Sequence, residues 1–331
     1  MSVKLNIFEQ LIRERKQLVL KDDETGEETP IDNADEILSG KYAKSLQQVR
    51  GFIKDRVKEE FIDGVMEILN DKLLNPNKNQ TKSLTGEHGL FSYSKKTHLN
   101  RPSKVVSGTF DVMFQPYFKY FDESLIPALL EIKGGQRPAS GVGEVLMCAL
   151  CNNVRKSDVG DIEIDGNRCE LKGLRGGGAY AREDLNAKLE HWCETYGVNY
   201  DSLELSPSQI GSLIAVLADL KRDSKNYDTA IDELAMMFLG KNKKDINQSV
   251  LGMVKETLQK ANSFGPRPFL QRLAALQLMN YCAIRESDLF VVLPEEKKYV
   301  WFPKDKLLET ENVIKFGGWA SNGFLISKVN S

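Results

Sequence analysis

Apolar residues recur at helical spacing near the start of the chain. Ile7, Leu11 and Ile12 form one group and Phe52, Ile53, Val57, Phe61, Ile62, Val65 and Ile68 another, which predicts an N-terminal helical region. Between them the acidic run KDDETGEETPIDNADE reads as a solvated loop, with a helix start at Asn33 or Asp35. Further on, VSGTFDVMFQPYFKYFDESLIPALLEIKGGQRPASG suggests packed strand or loop and then a short helix. VGEVLMCALCNN, from Val142 to Asn153, is apolar nearly all round with Glu144 as its only charge, the pattern of a buried helix. Two short alternating runs follow, DIEI and NRCELK, separated by Asp165 and Gly166; Asp-Gly between alternating runs predicts a β-hairpin. The glycine-rich LRGGGAYARED then leads to a helix around Leu185 to Trp192. Residues 200–262 read as inserted helices, PRPFLQRLAALQLMNYCAI as an amphipathic helix, DLFVVLP as a buried strand, and KKYVWFP and GFLISKV as two more strands.

This order predicts an α/β architecture with a mixed sheet. It divides into a helical region over 1–70, a basic region with aromatics over 71–135, a core over 136–305 carrying a helical insertion at about 181–262, and an extension over 306–331. At 331 residues, 41% hydrophobic and 28% charged, the chain has room for more than one core. The opening MSVKLNIFEQLIRERK is charged throughout, and no stretch reaches the roughly 18 uncharged apolar residues of a bilayer span, so neither export nor a membrane partner is expected. Five scattered cysteines suit a reducing cytoplasm. Cys148 and Cys151 form C-x-x-C without a second pair, which on an apolar helix reads as two small hydrophobes.

A net charge of −2 does not by itself favour nucleic acid. Its distribution does more. Residues 71–110 hold Lys72, Lys78, Lys82, Lys95, Lys96, Arg101 and Lys104 against Asp71 and Glu87, along with Phe91, Tyr93 and His98. Cations mixed with flat rings suit phosphates and bases, although a solvated loop has the same composition.

The hairpin carries the chemistry. Alternation puts Asp161, Glu163 and Asp165 on one face of the first strand and Arg168, Glu170 and Lys172 on one face of the second. With Asp165 and Gly166 as the turn, Glu163 faces Arg168 and Asp161 faces Glu170. Two carboxylates about 5 Å apart repel by roughly 3 kcal/mol at an effective dielectric near 20, and a cation between them reverses the sign. Mg²⁺ is ordinarily held by one or two carboxylates plus water and phosphate. Lys172 shares the face and is placed to orient a water or offset phosphate charge. A turn at Gly166 and Asn167 would instead set Asp161 opposite Lys172, and the whole hairpin also reads as a plain solvated ribbon with Glu163 and Arg168 paired.

Gly160-Asp161, then Glu170-Leu171-Lys172, with Glu144 on a preceding helix, resembles the PD-(D/E)XK nuclease superfamily. The resemblance covers roughly residues 139–175, with weaker support from the helix and strands at 269–302. It implies a restriction-endonuclease-like mixed sheet flanked by helices, with Mg²⁺ or Mn²⁺ held by Asp161, Glu170, the Leu171 carbonyl and Glu144, and Lys172 assisting the attacking water. It implies DNA as the partner, in a dimer or a larger phage or restriction assembly in the host cytoplasm or a virion; the basic stretch with Lys95, Lys96, Arg101 and Lys104, and Arg175 and Arg182 beside the glycines, are expected to contact its backbone. No proline precedes Asp161, as in many members. A second Glu-x-Lys, Glu131-Ile132-Lys133, follows a helical segment without an opposing aspartate and reads as a decoy. From another class, a phage structural or DNA-end-binding protein keeping the core with little turnover stays open, as does an interaction protein.

Overall fold

The computed structural model describes residues 18–21, 28–31, 50–74, 97–118, 123–132, 143–173, 185–199, 210–223, 226–240, 246–320 and 323–329. The chain divides into two compact units, one made of residues 1–100 and 110–156, the other of residues 101–109 and 157–331. Ile7, Leu11 and Ile12, the helix start at Asn33 or Asp35, and the loop over residues 174–184 lie outside the described residues.

In the first unit, the acidic run expected as a loop instead contributes to a short antiparallel hairpin of β1 (Leu18–Lys21) and β2 (Glu28–Ile31). LVLK and ETPI are too short to stand out against the charges around them. Residues 50–56 are helical and lead into α1 (Glu59–Leu74). Ile53, Val57, Phe61, Ile62 and Val65 from the predicted stripe are buried there, joined by Met66 and Leu69. The aromatic-rich stretch gives α2 (Phe110–Phe114), and SLIPALL gives α3 (Leu125–Leu130). Next comes α4 (Glu144–Leu150), every residue of which is buried, as its unbroken apolar pattern requires. It packs with α1 and α3 and is followed by the three-residue strand β4 (Val154–Lys156). Cys148 and Cys151 are fully buried, and burial pushes both thiols well up, which accords with their reading as small hydrophobes.

The second unit is built on a mixed sheet. β3 (Val106–Thr109), β5 (Ile162–Ile164), β6 (Asn167–Gly173), β7 (Asp288–Leu293) and β8 (Lys298–Phe302) are hydrogen-bonded in the order β3-β8-β7-β6-β5. Only β6 and β7 are parallel; the other pairs are antiparallel. Parallel neighbours need a crossover. Here it runs from the end of β6 to Asp288 and contains α5 (Leu185–Tyr196), α6 (Ile210–Asp223), α7 (Tyr227–Leu239), α8 (Gln248–Gln259) and α9 (Pro266–Ala283). The helices read as an insertion are therefore the body of the crossover. β7 is buried at all six positions, as a central strand with both faces covered should be.

One apolar core joins these helices to the sheet, with Trp192, Leu213, Leu234, Val254, Leu273 and Phe269 packed with Leu289, Val291 and Phe302. A separate antiparallel pair, β9 (Ile314–Ala320) with β10 (Gly323–Val329), adds Ile314, Phe316 and Ile326 to it. Of these two, only β10 stands out in the sequence. No helix among the described residues is long and apolar enough to cross a membrane.

Candidate active site

The hairpin adopts the register expected from its Asp-Gly turn. Ile162 pairs with Cys169, Glu163 with Arg168 and Ile164 with Asn167. Asp165 and Gly166 have φ of 50° and 76°, the two positive values that a type I′ turn demands and that Asp and Gly tolerate best. The register with Gly166 and Asn167 at the turn is thereby excluded.

Asp161 sits just before β5, and its carboxylate folds onto the partner strand. Its Oδ2 accepts the Leu171 backbone N–H at 2.7 Å, continuing the ladder beyond the last paired residues by a side chain. The chain reaches this position through a tight loop. The Ser157 hydroxyl donates to the Val159 carbonyl at 3.0 Å and to Glu163 Oε1 at 3.2 Å, and Gly160 takes a φ of 108°. A side chain at Gly160 would be strained by that φ, and its Cβ would lie 3.2 Å from Glu170 Oε1. Gly160→Ala is expected to cost about 1–3 kcal/mol, the usual range for a residue held in such a conformation. Urea denaturation of the variant beside the native protein checks it.

Glu170 lies on β6 and is only 1% exposed. The Lys172 ammonium is 3.0 Å from its Oε2 and 3.7 Å from Asp161 Oδ2, so one cation already stands between the two carboxylates. The convergence that the alternation implied is therefore present, on a single face. Burial on its own would lower the Lys172 pKa, but the charges of Asp161 and Glu170 outweigh it and hold the pKa above lysine's ordinary value. The stabilisation this ion pair contributes is then complete below an unfolded-state value near about 10.4 and is lost only as pH climbs past the folded value. With both carboxylates beside it, Lys172 is held as a positive charge at neutral pH.

Two more side chains complete the cluster, both from the end of the crossover. The Tyr281 hydroxyl donates to Glu170 Oε2 at 3.0 Å; burial raises that phenol to about 12. The Arg285 guanidinium lies 3.8 Å over the Tyr281 ring, with Nε 3.2 Å from Glu170 Oε1. Sequence reasoning missed both, since the helix around Tyr281 shows only amphipathic spacing. Arg168, paired with Glu163 in the register, donates to the Arg285 carbonyl at 3.3 Å.

The other expected site residues fall in different places. Glu144 belongs to the first unit, at the start of α4, where it is 3% exposed and Lys58 Nζ lies 3.0 Å from its Oε1 and 3.1 Å from its Oε2. A buried carboxylate needs such a cation. Arg101 lies in the second unit and donates through Nε and NH2 to the buried Asp288 at 2.6 and 2.7 Å. Lys104 is exposed. Lys95, Lys96, Arg175 and Arg182 lie outside the described residues, as does Lys133 of the second Glu-x-Lys; Glu131 is the exposed C-cap of α3.

The donor chemistry suits a hard divalent cation. Asp161, Glu170 and the Leu171 carbonyl offer oxygen alone, and Glu170 Oε1 is a buried oxygen without a hydrogen-bond donor. Among the described residues no three His, Cys, Asp or Glu side chains form a closed cage. An ion with two carboxylates and several waters is the Mg²⁺ pattern.

Compared with protein-family models, with curated proteins and with solved structures, the chain gave no match in any of the three.

Proposed function

We propose that the protein is a metal-dependent nuclease of the PD-(D/E)XK type, hydrolysing phosphodiester bonds of DNA, with a restriction-endonuclease-like core in its second unit. The observation that carries this reading is the convergence of Asp161 and Glu170, from adjoining strands, on one ammonium, with Lys172 two residues beyond Glu170 on the same face.

Asp161, Glu170 and the Leu171 carbonyl would hold Mg²⁺ or Mn²⁺. Such an ion would supply Lewis acidity, polarising a phosphate oxygen and making a coordinated water more acidic. The remaining work falls to the chain. Lys172, held protonated by its two carboxylates, orients the attacking water and meets the charge that grows on the phosphate. Tyr281 fixes the Glu170 carboxylate by its hydroxyl, and Leu171 N–H fixes Asp161, so both acids are set before any substrate arrives. Exposed Lys104, with Lys95, Lys96, Arg175 and Arg182, is proposed to meet the backbone phosphates, in a dimer or a larger assembly.

Supercoiled plasmid incubated with the protein should be nicked in Mg²⁺ or Mn²⁺ and remain intact in EDTA. Asp161→Asn should slow nicking by about 10²-fold or more while plasmid binding survives. Metal-dependent nicking that persists at the native rate in Asp161→Asn would remove the site from the reaction. Binding without any nicking in either metal would favour the DNA-end-binding alternative.

A further inference from the structure

Arg285 stands at the one oxygen of Glu170 that takes no hydrogen bond. The other oxygen, Oε2, accepts from both Lys172 and Tyr281 at 3.0 Å. Facing Oε1, Arg285 Nε is 3.2 Å away but does not point an N–H along the bond, so the contact is one of charge. The guanidinium is held by other means. Its plane covers the Tyr281 ring at 3.8 Å, and NH1 donates to the Tyr281 carbonyl at 3.3 Å. Its own backbone is fixed by Arg168 and by the turn that closes α9, where Arg285 N–H donates to Cys282 and Glu286 takes a φ of 53°. The side chain is one-fifth exposed and so has a path to solvent.

The charges decide what this arrangement is for. Among these four groups, Asp161 and Glu170 carry two negative charges and Lys172 and Arg285 two positive ones. A divalent ion on Glu170 Oε1 would face a guanidinium at hydrogen-bond range, and the two cannot share that oxygen without strong repulsion. Lys172 retains Oε2 and Asp161, whereas the hold of Arg285 on Oε1 is the weaker of the two. We infer that Arg285 is a resident counter-cation, occupying the Glu170 oxygen in the metal-free protein and leaving it when a divalent ion binds. Released, it keeps its seat on Tyr281 and presents its N–H groups to a phosphate group of the substrate, a chemistry to which a guanidinium is suited. Metal and a phosphodiester then bind cooperatively, because each favours the state in which Arg285 is off Glu170. This rests on the metal-site reading above.

The test measures Mn²⁺ binding to the full chain by titration calorimetry and by the electron paramagnetic resonance signal of free Mn²⁺, for native protein, Arg285→Gln and Glu170→Gln. Arg285→Gln should bind Mn²⁺ about tenfold more tightly than native protein, on the scale of one charge-assisted contact removed. In Ca²⁺, which is used here to limit turnover, the same variant should bind a short DNA duplex more weakly, with little change in EDTA. Affinity for Mn²⁺ that is unchanged or lower in Arg285→Gln overturns the role of Arg285 and leaves the metal site standing. Native protein that binds no Mn²⁺, or Glu170→Gln that binds it equally well, overturns the metal site and this inference together. Should Arg285→Gln not fold, native protein decides: adding Mg²⁺ should shift the Arg285 Nε–H resonance and speed its exchange with water, and an unmoved resonance on a metal-loaded protein defeats the inference.

Discussion

Glu170→Ala should lose metal-dependent nicking by about 10³-fold or more and should unfold in urea with roughly 3–5 kcal/mol less stability. Both effects come from one carboxylate. Glu170 is 1% exposed and is the common partner of Lys172, Tyr281 and Arg285, so its removal leaves two cations and a phenol facing a cavity. Breaking a buried pair from one side is costly because the remaining charge stays out of water. Glu170→Gln separates the two effects. It preserves shape and an oxygen for Tyr281, so more of the stability should return than of the nicking. If Glu170→Ala nicks at the native rate, the hairpin is a structural ribbon.

Asp288→Ala is expected to lower stability by about 3–5 kcal/mol, or the melting temperature by roughly 10 °C for a unit of this size, without acting through the nicking chemistry. Asp288 begins β7 and is 2% exposed. It accepts both donors of Arg101, the Trp301 indole N–H at 3.1 Å and the Lys304 backbone N–H at 2.9 Å. The segment before β3, the strand β8 and the chain after it are thus tied to one carboxylate at the start of the central strand. Arg101→Ala should reproduce most of the loss, since it strands the same buried charge. Its effect on plasmid binding should be small beside that of Lys104→Ala, because Arg101 is engaged by Asp288 whereas Lys104 is exposed. Circular dichroism melts and filter binding at two salt concentrations measure both arms; a loss under about 1 kcal/mol in Asp288→Ala would show that the carboxylate is no anchor.

What neighbouring residues decide was legible in the chain. Asp165 and Gly166 tolerate positive φ, and that preference selected the turn, which set the register, which put Asp161 and Glu170 on one face. The all-round apolar run from Glu144 to Leu150 could only be buried, and so it is. In the acidic run the cue was weak, and β1 and β2 went unread, because four-residue strands carry too little alternation to outweigh the surrounding charge.

Residues brought together by the long crossover were not legible. Tyr281 meets Glu170 across 111 positions and Arg101 meets Asp288 across 187, and no local period marks either approach. The sequence by itself determined the facing pair of carboxylates, because turn stereochemistry and strand alternation act between adjacent residues. Only the tertiary structure decided which cations attend them, since those positions depend on how the helices of the crossover pack before the chain returns to lie parallel to β6.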